Sequence, residues 1–345
     1  MLSRDRVQEL LALFVIISGL LIWAFRLAQS PLPELTGDPH NIMQRSMTVA
    51  QTGNIFATVD PPFRYIPVAT LFELFGITTV GDQAAYITHL YSTTTTYVII
   101  PATLYLLVRL TVGRKTALLT LLGVVSWRVF GIGLNAYVDG YWMYDYTIPL
   151  IFLTIYFGHK CVSGQSPRSS VKLAVGTGIG IGSVGLNEYI LGAYTAAIIT
   201  VLFIYHRKYL ELATSGTIGS LMASSLIFMT DYAKDFILSS GGNRLELLPV
   251  SLVVPNAISI LTTPAYLFPV FLTFLAVLLY YWNQSTPTDT NVLVISCSVL
   301  AVAWLSQFIL ATGWFALLAQ YTGQYLVLTL LMHQMVKGAE LFNII

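Results

Sequence analysis

Charge is scarce in this sequence. Only 10% of its 345 residues are Asp, Glu, Lys or Arg, against roughly a quarter in an average soluble domain, and 56% are hydrophobic. No stretch is charged enough to coat a separate water-soluble domain, which excludes a soluble enzyme and a nucleic-acid-binding module with a basic face. Cysteine is nearly absent: Cys161 sits in a basic loop and Cys297 in an apolar span, which excludes a disulfide framework and a thiolate metal centre. Internal repeats and low-complexity tracts are also missing, so solenoids, arrays and disordered linkers are set aside. The net charge of +1 identifies no partner, because in lipid the side on which each charge lies is what matters.

What is present is a series of long apolar runs. A helix needs about 20 mostly apolar residues to cross a bilayer. Runs of this kind lie near 9–27, 84–111, 116–134, 143–158, 172–187, 189–206, 213–230, 264–282, 291–311 and 313–337. The expected fold class is an all-α polytopic membrane protein with about ten transmembrane helices, forming one transmembrane domain over 1–345. Arg4 and Arg6 precede the first run, and the following Arg26-Leu-Ala-Gln-Ser-Pro offers no small-residue cleavage site, so the run reads as a retained signal anchor. Glycines 176, 178, 180, 182 and 185 crowd one run, which suits close helix packing more than lipid contact.

Segment 65–80 is apolar but too short to span and contains Glu73, so it is read as lying on the membrane surface. With that choice eleven Lys and Arg residues fall on the inner side and five on the outer, which satisfies the positive-inside rule and places the N-terminus in the cytoplasm. Eleven of the sixteen acids fall outside. The two long outer segments, 28–83 and 231–263, are where function is expected. In the first, Ile42, Met43, Met47, Val49 and Ala50 recur at roughly helical spacing, which predicts an amphipathic surface helix.

The order of features in this part of the chain is distinctive. A first span is followed by Gly37-Asp38 at the head of the surface helix, then Gly53. Next come Asp60-Pro61-Pro62-Phe63-Arg64-Tyr65-Ile66-Pro67, Leu71-Phe72-Glu73-Leu74-Phe75-Gly76, and a long span ending in Gly113-Arg114-Lys115. Over about the first 160 residues this pattern resembles the glycosyltransferase-C superfamily. The resemblance implies a membrane enzyme that transfers a sugar from a polyprenyl-phosphate carrier to a lipid, glycan or protein acceptor. It places the chemistry on the outer or lumenal face of a cell membrane or endoplasmic reticulum membrane, with an acidic residue of the first outer loop acting in catalysis.

Such a transfer requires a base for the acceptor hydroxyl and cations to stabilise the departing phosphate. Asp38 occupies the position of the base, and the same Asp-Pro pair suits a helix N-cap with proline following. His40, two residues on, is a candidate partner in proton transfer. Arg128 lies inside a span, where a charge is costly, and Arg244 lies in the second long outer loop; both are candidates for the donor phosphate. Asp139, Asp145 and Glu188 are candidates for acceptor binding. Asp38, Asp145 and Glu188 together would make an oxygen-rich site for a divalent cation such as Mg or Mn. Glu188 also fits a plain solvated turn residue between two helices, and outer tyrosines such as Tyr65 and Tyr137 suit a sugar site. Two other classes share the hydropathy pattern. A transporter or lipid flippase predicts duplicated halves and midplane charges, which the sequence does not show. A non-catalytic membrane subunit predicts that Asp38 and Arg128 tolerate neutral replacement.

Overall fold

The computed structural model describes residues 4–29, 38–55, 62–130, 147–163, 166–229, 264–283, 290–298 and 314–341, together with 249, 251–255, 258 and 301. Among these there is no strand. The helices are α1 (Arg4–Gln29), α2 (Asp38–Thr52), α3 (Ile66–Leu74), α4 (Asp82–Thr111), α5 (Arg114–Phe130), α6 (Thr147–Ser163), α7 (Pro167–Asn187), α8 (Tyr189–Tyr205), α9 (Tyr209–Met229), α10 (Pro264–Trp282) and α11 (Trp314–Leu341). Residues 290–298 are also helical, and a 3₁₀ turn covers Pro62–Arg64.

Two of the described helices, Asp82–Thr111 and Arg168–Asn187, are long and apolar enough to cross a membrane by length and composition. Glu9–Phe25, Thr147–Ser163, Leu191–Tyr205 and Thr273–Trp282 are apolar over shorter lengths. That number covers the described residues alone, and several of the expected spans lie partly or wholly outside them. In α9 the Ser and Thr hydroxyls are satisfied within the helix: Thr214 donates to the Leu210 carbonyl at 2.8 Å and Ser225 to Met222 at 2.6 Å.

α7 is the hub. It packs most extensively against α9 and α6, and also against α8. Close approach is built on the glycines: a Cβ at Gly178 would stand 2.8 Å from the Ser215 carbonyl oxygen and from Ile218 Cβ, and one at Gly182 would stand 2.5 Å from Met222 Cβ. Cys161 lies near the end of α6 rather than in a loop, where its thiol donates to the Ser170 carbonyl at 3.2 Å, and both cysteines are free.

α4 contains a π-helical stretch, Thr95–Ile99. Pro101 causes it: without an N–H, and with its ring against the carbonyl four residues back, it cannot continue the regular ladder. The Ile100 amide instead donates to Thr95, five residues back.

Ionic contacts mark the two ends of the bundle. At one end Glu9 receives Arg109 (2.7 Å) and Arg114 (3.4 Å), Lys115 pairs with Glu340 (2.9 Å), and Glu211 receives Lys208 (3.7 Å) and the Ser170 hydroxyl (2.6 Å). At the far end of α7, about 27 Å from Ser170 at 1.5 Å rise per residue, Arg64 pairs with Glu188. Each of these pairs joins residues that the sequence assigned to the same side.

Candidate functional site

The site is built from the segment between α1 and α4. α2 begins at Asp38 with Pro39 in its first turn, and it is amphipathic as its spacing requires. Ile42, Met43, Met47 and Val49 are buried, while Asn41, Gln44 and Gln51 are exposed. The buried face docks on α3, whose Val68, Ala69 and Phe72 are buried in the same cluster. Segment 65–80 is thus a nine-residue helix and a turn, far too short to span. Gln51 fastens the end of α2 to that turn by donating to the Thr78 carbonyl at 2.7 Å. The turn leaves Leu74, Phe75 and Val80 exposed, as an interfacial segment would.

His40 has a local partner. The Gln44 side-chain amide, one turn on, donates to His40 Nε2 at 2.6 Å, which engages the lone pair of that nitrogen and leaves Nδ1 as its other ring site. Arg45 donates to the Tyr65 hydroxyl at 3.1 Å, and Tyr65 is fully buried. Burial pushes the Tyr65 phenol above its ordinary 10.0, against the lowering effect of the Arg64 and Arg45 charges. Tyr65 is therefore a neutral hydroxyl at physiological pH.

Arg64, which the sequence offered only as an outer cation, is 4% exposed and pairs with Glu188, 124 residues away and 2% exposed. Glu188 is not a solvated turn residue. It stands at the break between α7 and α8 in extended conformation (φ −157°, ψ 102°). Arg64 Nη2 donates in addition to the Asn187 carbonyl at 3.3 Å, the last residue of α7. The guanidinium thus satisfies a helix-end carbonyl and sits where the α7 dipole favours a cation, while Glu188 sits where the α8 dipole favours an anion. One oxygen of Glu188, Oε1, is buried without a partner among the described residues.

The remaining candidates divide plainly. Asp38 is placed by its backbone at the start of α2. Arg128 lies fifteenth in α5, about 21 Å along the helix from Arg114. Tyr137, Asp139, Asp145 and Arg244 lie outside the described residues. Among the described residues no group of three or more His, Cys, Asp or Glu is arranged to hold a metal ion. At Glu188 the adjoining guanidinium supplies the positive charge that a divalent cation would bring, and the two would repel.

Comparison with known proteins adds the architecture. The chain is similar to the crystal structure of ArnT from Cupriavidus metallidurans bound to undecaprenyl phosphate, with a TM-score of 0.53 and 12% identity, over 95% of this chain and 78% of that one. The likeness is one of fold. No protein-family model matches the sequence, and neither does any curated protein. At this identity residue roles do not transfer by alignment.

Sequence reasoning missed the Arg64–Glu188 pair. The signal was an arginine inside an apolar, proline-flanked stretch, which requires a counter-charge; nothing in the chain order pointed to Glu188 as the partner.

Proposed function

We propose that this chain is an integral membrane glycosyltransferase that moves a sugar from a polyprenyl-phosphate carrier to an acceptor on the outer or lumenal face. One observation carries the reading: the chain shares its fold, over 95% of its length, with a protein whose crystal structure holds undecaprenyl phosphate. The pattern of the first outer loop and the segregation of charges between the two ends support it independently.

In this reading Asp38, at the start of α2, is the base that takes the proton of the acceptor hydroxyl as the sugar's anomeric carbon leaves the carrier phosphate. His40 lies on the same turn and assists the proton's passage. Arg128 and Arg244 bind the departing phosphate, whose charge grows as the glycosidic bond breaks. Asp139 and Asp145 belong to the acceptor side. No step requires a metal ion, and a divalent cation at Asp38 and Asp145 remains part of the reading as an aid to the phosphate.

The test is transfer from a panel of radiolabelled polyprenyl-phosphate monosaccharides to endogenous lipid and protein acceptors, in membranes holding wild type or Asp38→Asn. The expected result is transfer by wild type and its near loss in folded Asp38→Asn, on the order of 100-fold or more for removal of a general base. Transfer that survives in Asp38→Asn reduces Asp38 to a helix cap. No product from any donor, with acceptors shown to be present, overturns the enzyme in favour of a transporter or a non-catalytic subunit.

A further inference from the structure

We propose that Glu188 is a positioning residue: it holds Arg64 against the junction of α7 and α8 and through it sets the orientation of α2, the helix that begins at Asp38 and carries His40. The proposal rests on the reading of the α2 start as the site of chemistry, and it is tested so that the two are separable.

The connection is continuous. Glu188 occupies the N-cap position of α8 but makes no capping bond there; its carboxylate is spent on Arg64. The Arg64 guanidinium also closes the end of α7 through the Asn187 carbonyl. The next residue, Tyr65, is fully buried at the start of α3, and its hydroxyl receives Arg45 of α2 at 3.1 Å. Arg45 lies seven residues from Asp38 and five from His40, two turns or less of one rigid helix. The apolar face of α2 rests on α3 through Ile42, Met43 and Met47, so whatever orients the 62–65 turn orients α2 with it.

A buried ion pair is a poor device for stability alone. Apolar side chains of similar volume often serve a fold as well, and Glu188 Oε1, buried with no partner among the described residues, is a cost that such residues would not carry. What the pair supplies, and apolar side chains lack, is direction: a planar guanidinium between a carboxylate and a helix-end carbonyl has one low-energy geometry. Among the described helices α7 is also the most heavily packed, so its end is a fixed point from which to align a surface element.

The experiment is amide hydrogen–deuterium exchange on the full chain in lipid nanodiscs, comparing wild type, Glu188→Gln and the double variant Arg64→Met with Glu188→Leu. The expected result is exchange in residues 42–52 that rises on the order of tenfold in both variants, with exchange in α9 unchanged, so that the loss is local to the surface helix. In the transfer assay, kcat per folded molecule is expected to fall on the order of tenfold with the KM for the lipid donor held within about twofold. Unchanged exchange in α2 of the double variant overturns the proposal whatever the activity. A wild type that transfers no sugar overturns the glycosyltransferase reading, and the exchange result still decides whether Glu188 orients α2.

Discussion

Arg109, at the last turn of α4, donates to the Glu9 carboxylate in α1 over 2.7 Å. Tyr105, one turn earlier, donates to the same oxygen, and Arg114 at the start of α5 faces the other. Three helix ends therefore share one carboxylate, and that end is the one to which the positive-inside rule assigns the cytoplasm. With Cys297 replaced by Ala, an impermeant maleimide is expected to label Glu73→Cys on α3 in intact cells, and Lys115→Cys only after permeabilisation. Both wild-type side chains are exposed, so access is not limited by burial. Labelling in the reverse order would invert the sidedness.

The Arg64–Glu188 pair gives an asymmetric stability series. Both side chains are almost fully buried, so Glu188→Ala strands a guanidinium and is expected to cost about 3–5 kcal/mol. The double variant Arg64→Met with Glu188→Leu removes both charges and is expected to lie within about 1 kcal/mol of wild type. Unfolding followed in one detergent distinguishes them, and equal losses would show that the pair itself carries the stability.

The α7 glycines make a sharper test because the same residue type serves as control. Gly178→Val drives side-chain atoms into the Ser215 backbone and Ile218, and is expected to destabilise by about 1–3 kcal/mol. A Cβ at Gly216 of α9 meets nothing within 4 Å, so Gly216→Ala is expected to be neutral or slightly stabilising. Equal melting temperatures for the two variants would contradict the close α7–α9 packing.

Glu211, in the first turn of α9, links folding to pH. The Ser170 hydroxyl, first, and the Lys208 charge hold its carboxyl below its ordinary 4.5, against the opposing effect of burial. A folded-state value below the unfolded one adds stability that is present above the unfolded value and is lost as pH falls through the folded one. Ser170→Ala moves the folded value back toward 4.5, so the variant is expected to be less stable than wild type at neutral pH. The difference should shrink as pH falls below roughly 4. Melting temperatures across that range check it; a gap that stays constant would assign the loss to packing alone.

Much of this architecture was legible in the residues because lipid solvation leaves few alternatives. The apolar face of α2 was readable from Ile42, Met43 and Met47 recurring at helical spacing, and α10, Pro264–Trp282, falls on the run read from composition. Segment 65–80 declared itself by length, since nine helical residues cannot cross a bilayer. The Arg64–Glu188 pair was not legible, because burial of each charge is decided by tertiary packing between segments 124 residues apart. Glu188 looked like a turn residue because a two-helix junction is usually at a surface; here Arg64 and the turn that carries it cover the junction. Asp139, Asp145 and Arg244 stay candidates on sequence grounds alone.

The π turn in α4 governs what kinds of change that helix tolerates. Before it, Ala85, Thr88 and Ser92 are buried; beyond it, an unbroken 3.6-residue period would bury Ile99, Leu106 and Leu110, yet these are exposed, and Ile100, Leu104 and Val108 are buried in their place. The wide turn has advanced the inward face by one position, about 100° of rotation. Deleting a single residue between Thr94 and Ile99 would take out that extra position, so the turn would close toward a regular ladder with Ile100, Leu104 and Val108 still inward and Tyr105 and Arg109 still facing Glu9. A one-residue deletion there should be mild and the same deletion between Ala102 and Leu106 severe, so α4 carries one residue of spare length and carries it only in that turn.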